Sequence, residues 1–127
     1  MTAAGLLSGS RILVVEDEMM LAMLIEDMLG DFGCEIVGPA ASAAAALALM
    51  GAKALDAAVI DVNLRGKKSY AVVDALKARG LPFVFLTGCD AGPLQGLYPN
   101  SLVVPKPILQ IELELALEKA LTVRAFQ

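Results

Sequence analysis

The strongest constraint on this chain is an alternation of two hydrophobic periods. Five short runs favour strands: Ile12-Leu13-Val14-Val15, Glu35-Ile36-Val37, Ala57-Ala58-Val59-Ile60, Phe83-Val84-Phe85-Leu86 and Leu102-Val103-Val104. Four of the five are apolar throughout, which a strand tolerates only when both of its faces are covered. Between them lie helical patterns. Leu21, Leu24, Ile25, Met28 and Leu29 fall at i, i+3, i+4, i+7 and i+8, which predicts a helix from position 18 with Gly30 as its C-terminal cap. Residues 41–50 are helical by alanine propensity and stop at Gly51. Ser69 is placed to cap a helix that turns Val72, Val73 and Leu76 inward and ends at Gly80, and 108–123 reads as the last helix.

Regular β-then-α units imply a doubly wound α/β fold: a five-stranded parallel sheet with helices on both faces, in the common order 2-1-3-4-5 of flavodoxin-like domains. The unit after the fourth strand is the weak one. Gly92, Pro93, Gly96 and Pro99 allow only a short or irregular fourth helix there, and 88–100 is expected to be mobile.

Length and composition narrow the function. The 127 residues suit one domain, and a chain that is 57% hydrophobic and 19% charged can bury a core. Ten Lys and Arg against 14 Asp and Glu leave a charge of −4. Without clustered cations, nucleic acid is excluded as a general partner. There is no His, which removes the commonest general base, the commonest zinc ligand and any phosphohistidine on this chain. Cys34 and Cys89 stand apart, without a CxxC spacing, and read as reduced thiols of a cytoplasmic protein. Residues 1–10 lack the basic start and apolar run of a signal peptide and read as a flexible lead-in to a domain over 11–124. The uncharged stretch 36–52 is broken at Gly38-Pro39 and is too short to cross a membrane.

Ligands of doubly wound sheets bind beyond the carboxyl ends of the strands, where the winding reverses. Glu16 and Asp17 follow strand one, Asp61 strand three, Thr87 strand four and Lys106 strand five. With strands one and three adjacent, the three carboxylates converge, and their repulsion calls for a hard cation with oxygen ligands, Mg²⁺ above all. Lys106 adds a point positive charge and Thr87 a hydroxyl donor, a set suited to the oxygens of a phosphoryl group on Asp61.

In these residues the chain resembles the receiver domains of two-component response regulators, over 11–123. The matching pieces are VVEDE at 14–18, VIDVNLRG at 59–66, FLTG at 85–88 and PKP at 105–107. The resemblance implies that Asp61 is the phosphoacceptor. It implies that Glu16 and Asp17 serve the Mg²⁺ site with Asp61, and that Asn63 lends its backbone carbonyl to the ion. Thr87 would be the switch hydroxyl, Lys106 the phosphate-facing lysine, and the Lys106–Pro107 bond cis. Two departures stand out: Asn63-Leu64-Arg65-Gly66 replaces the usual Met-Pro pattern after the acceptor, and Val103 stands where an aromatic switch residue is usual. With 82–88, these departures look like the single-domain receivers named for a Phe-Ala-Thr-Gly motif in alphaproteobacteria. Here Leu86 replaces the Ala and Cys89 the aromatic.

The expected function follows from the resemblance: a stand-alone receiver, not an enzyme in the ordinary sense, that catalyses its own phosphorylation and slow dephosphorylation. Its donor would be a histidine kinase, of the HWE group by the motif, or a phosphotransfer protein. Because the last predicted helix runs almost to Gln127, the expected output is protein contact, or a phosphate shuttle or sink. Asn63 and Cys89 are expected to flank the path of attacking water. A second copy of the chain is a candidate partner for the last helix, which carries Leu113, Leu117 and Leu121 beside Ile108, Ile111 and Leu115. The alternative is an interaction module of the same fold that works without phosphorylation. A phosphatase of the haloacid dehalogenase type would need a second Asp where Asn63 stands. A flavin protein would need a phosphate-cradling loop where Glu16, Asp17 and Glu18 repel phosphate.

Overall fold

The computed structural model describes residues 7–64, 67–88, 98 and 101–125. In chain order the elements are β1 (Arg11–Val15), α1 (Met19–Asp31), β2 (Glu35–Ala40), α2 (Ala43–Ala52), β3 (Ala57–Asp61), β4 (Asn63–Leu64), β5 (Lys67–Lys68), α3 (Tyr70–Ala78), β6 (Phe83–Thr87), β7 (Leu102–Pro105) and α4 (Gln110–Ala125). The main sheet runs β2-β1-β3-β6-β7, all parallel. Counting only these five strands, that is the expected order 2-1-3-4-5. The short antiparallel pair β4–β5 directly after β3 was not foreseen; two-residue strands carry no periodicity to read. The expected fourth helix and Cys89 lie outside the described residues.

Alternate strand residues serve two cores. Ile12, Val14, Val59, Val84, Leu86 and Val104 pack with Ile25 and Leu29 of α1 and Leu113 and Leu117 of α4. Leu13, Val15, Ala58, Ile60 and Phe85 pack on the other face with Ala46 and Met50 of α2 and Val72, Val73 and Leu76 of α3. Each large aliphatic side chain fully buried this way contributes about 2 kcal/mol. No helix among the described residues is long and apolar enough to cross a membrane.

Several local expectations need correction. Helix α1 does not stop at Gly30. It continues to Asp31, and the chain turns at Gly33, whose φ of 84° only glycine adopts readily. The Gly33 N–H then bonds to Gly30 O and the Cys34 N–H to Leu29 O, closing the helix end. Helix α2 passes over Gly51 to Ala52, and Ser42 caps its start by accepting the Ala45 N–H at 3.1 Å. Leu24, placed in the buried stripe of α1, is 42% exposed.

The lead-in reading fails for its last residues. Leu7 is fully buried in the α1/α4 core, Gly9 N–H bonds to Gly33 O at 2.7 Å, and the Cys34 thiol donates to Leu7 O. Burial pushes that thiol up to about 11, so it stays protonated and inert at neutral pH. On α4, Leu113, Leu117 and Leu121 are core, whereas Ile111 and Leu115 are at least half exposed. Ile108 of that second row is buried too, so Ile111 and Leu115 are its residues open to a partner.

Candidate functional site

Backbone bonds at the strand ends place the site. Glu16 N–H bonds to Ala40 O, Val62 N–H to Leu86 O and Lys106 N–H to Thr87 O, so the carboxyl ends of β1, β3, β6 and β7 finish together. There they surround an open cleft of about 500 Å³ whose lining includes Glu16, Asp17, Asp61, Asn63, Thr87 and Lys106, together with Glu18 and Gly88. The predicted phosphoacceptor, metal, hydroxyl and lysine residues thus meet in one place.

Asp61 is held at both oxygens: Oδ1 accepts the Asn63 N–H at 3.0 Å, and Oδ2 accepts from Lys106 Nζ at 2.8 Å. Lys106 Nζ lies 4.0 Å from Glu16 Oε1. Glu16 Oε2 accepts the Glu18 N–H at 3.2 Å, while Oε1 is buried without a hydrogen-bond partner. Carboxylate oxygens of Glu16, Asp17 and Asp61 lie within 4.8 Å of one another. Such a set, with one buried oxygen unsatisfied, fits a hard divalent cation such as Mg²⁺.

The electrostatics follow from this crowding. The Glu16 carboxyl is pushed up to about 8: burial raises it most, the Glu18 N–H pulls it back, Asp61 opposite raises it and the Lys106 charge lowers it. Burial by itself lowers Lys106, but the hydrogen bond and charge of Asp61, with Glu16 and Glu18 behind, outweigh it and raise the ammonium above its ordinary value. The Lys106–Pro107 bond is cis, as the resemblance implied.

Ser69 is the supporting residue that the sequence reading misassigned. It sits at the N-cap position of α3, but its side chain caps nothing there. Fully buried, its hydroxyl lies 2.8 Å from Asp61 O and 3.2 Å from Val62 O, tying the end of β3 to the start of α3. A serine eight residues after a strand-end acid gives no signal that separates a cap from a tether. Ser69→Ala is expected to lower stability by about 1–2 kcal/mol, because the Asp61 carbonyl loses this hydroxyl donor, while Val62 O keeps the Ser69 N–H at 3.0 Å. Urea denaturation of the two proteins measures that difference.

The chain belongs to the response regulator receiver domain family, whose sequence model matches residues 12–95. SdrG from Sphingomonas melonis Fr1 is 39% identical, with 96% of this chain and 99% of that one covered and a TM-score of 0.79. The response regulator PhyR from Brucella abortus is 28% identical with a TM-score of 0.82; the match covers 97% of this chain and 53% of that one. This chain therefore spans about half the length of that PhyR. A sensor protein from Polaromonas sp. JS666 is 27% identical over 91% of this chain and 98% of its own, with a TM-score of 0.79. Among curated proteins, none matches this sequence.

Proposed function

We propose that this receiver accepts a phosphoryl group from a partner's phosphohistidine onto Asp61, in a reaction that requires Mg²⁺, and signals through protein contact or passes the group on. The observation that carries this reading is the Asp61 carboxylate. It is buried, fixed by the Asn63 N–H and paired at 2.8 Å with Lys106, beside a Glu16 oxygen that has no hydrogen-bond partner.

In the transfer, a carboxylate oxygen of Asp61 forms a bond to phosphorus as the P–N bond to the partner's imidazole breaks, leaving an acyl phosphate and free imidazole. Glu16, Asp17 and Asp61, with the Asn63 carbonyl, are the residues that would hold Mg²⁺, which when bound neutralises charge on the phosphoryl oxygens. Lys106 exchanges its carboxylate partner for a phosphoryl oxygen, and Thr87 offers its hydroxyl to another. As a response regulator receiver, the chain is a signalling domain in this reading rather than an enzyme.

The phosphoryl donor in this reading is a histidine kinase, of the HWE group by the sequence motif, or a phosphotransfer protein, in the cytoplasm. A second copy of the chain, meeting Ile111 and Leu115 of α4, belongs to the same reading. The receiver unit is 11–124, with Leu7 packed onto it. Incubation with acetyl phosphate, followed by intact-protein mass spectrometry, tests the proposal. A single phosphoryl adduct is expected with Mg²⁺, none with chelator and none in Asp61→Asn. Undiminished modification of Asp61→Asn overturns the assignment.

A further inference from the structure

Tyr98 is the one described residue between Gly88 and Ser101, and it is fixed at both ends. Its ring is 8% exposed and packs on Phe85 and Tyr70, at centroid distances of 5.8 and 5.5 Å. Lys77 Nζ stands 5.4 Å from the ring centroid. The hydroxyl donates to Asp74 Oδ1 on α3 at 2.9 Å. Behind the ring, the Tyr98 carbonyl accepts the Ser101 hydroxyl at 2.5 Å and the Ser101 N–H at 3.3 Å, just before β7 begins. Burial first, then the Asp74 carboxylate, push the phenol up to about 12, so the hydroxyl keeps its proton and remains a donor.

Phe85 joins this cluster to the cleft. It lies two residues before Thr87 on β6, and alternation along a strand puts both side chains on the same face of the sheet. Val103, on the neighbouring strand, packs against the same core without a ring. A displacement of the β6 end toward Asp61 therefore meets Tyr98 directly, through one ring-to-ring contact. The far end of that contact is breakable. Asp74 is exposed, so its released carboxylate finds water, and the phenol reaches water only by moving out with the ring. Close-packed side chains shift between discrete arrangements rather than deforming smoothly.

We infer that Tyr98 reads the state of Asp61: when Thr87 is drawn to a phosphoryl group, Phe85 shifts and the Tyr98–Asp74 hydrogen bond is released, freeing the start of β7 from α3. This rests on the phosphoacceptor reading above. Coupling is reciprocal, so a latch that loading opens must also oppose loading.

The test uses beryllofluoride with Mg²⁺ as the phosphoryl mimic and the full chain. The chain has no Trp and two Tyr, so Tyr70→Phe leaves Tyr98 as the sole phenol, whose emission a carboxylate acceptor quenches. Bound beryllofluoride is followed separately by fluorine NMR. On loading, Tyr98 emission is expected to rise. Tyr98→Phe and Asp74→Ala, checked for unchanged thermal unfolding cooperativity, should each bind beryllofluoride about fivefold more tightly. The double variant should gain no more than either single one. A bound fluorine signal with unchanged Tyr98 emission and unchanged affinity in both variants overturns the latch alone. Absence of any bound signal overturns the phosphoacceptor reading, and the latch with it.

Discussion

Glu16→Gln is expected to stabilise the protein in chelator and at the same time to weaken its hold on Mg²⁺ by about tenfold or more. Glu16 is 2% exposed, and burial above all, with Asp61 adding to it and the Glu18 N–H and Lys106 opposing, lifts its titration from the ordinary 4.5 to about 8. Between those two values the folded protein keeps a proton that the unfolded chain has released. Stability in chelator therefore falls as pH rises through this window, and the penalty is complete above about pH 8. Gln does not ionise. It can still accept the Glu18 N–H, so the variant escapes the penalty, by on the order of 3 kcal/mol at pH 8.5. With Mg²⁺ the sign reverses, because the cation takes the place of the proton. Wild-type affinity should rise with pH up to about 8 and release a proton on binding, whereas the variant shows neither effect. Urea denaturation in chelator at several pH values, with calorimetric Mg²⁺ titrations in two buffers of different ionisation heat, reads both arms. A wild-type stability that rises from pH 5 to 8 contradicts the assignment.

What the sequence discloses here depends on whether a residue's role is local. A run such as Val59-Ile60-Asp61 carries its own evidence: the apolar residues demand cover on both faces, and the acid marks where the strand leaves the core. The convergence of Glu16, Asp61, Thr87 and Lys106 was legible because the common doubly wound order makes the first and third strands neighbours. Roles set by distant partners were not legible. Gly33 rather than Gly30 ends α1 because the chain must double back beside Ser8, which a side chain at position 33 would approach to 3.1 Å. Ser69 looks like a helix cap until the Asp61 and Val62 carbonyls arrive beside it from another element. On α4 the apolar residues go nearly all the way round, so sequence alone could not say that Leu117 is core and Leu115 is surface. Leu7 is buried only because the turn at Gly33 and Cys34 receives it.

The same crowded carboxylates lead to an opposite expectation for their counter-charge. Lys106→Ala is expected to bind Mg²⁺ more tightly than the wild type, yet to be phosphorylated more slowly. Lys106 Nζ lies 2.8 Å from Asp61 and 4.0 Å from Glu16, so its ammonium occupies the field that a divalent cation would use. Removing it leaves Glu16, Asp17 and Asp61 facing one another within 4.8 Å. Breaking a buried ion pair costs about 3–5 kcal/mol. The lysine side chain is 27% exposed and Glu16 can retain its proton, which together reduce the loss in chelator to about 2 kcal/mol. Mg²⁺ should recover that loss, because a ligand that binds only the folded state stabilises it in proportion to its affinity. The wild type, already holding one cation at the site, should gain less. Phosphorylation runs the other way, since the developing charge on the phosphoryl oxygens loses its ammonium partner even with Mg²⁺ saturating. Thermal unfolding across a Mg²⁺ series, paired with acetyl phosphate kinetics followed by intact mass, measures both. An affinity for Mg²⁺ equal to or weaker than wild type means that the ammonium does not compete for these carboxylates. In that case the 2.8 Å pair contributes to the shape of the cleft rather than to its charge.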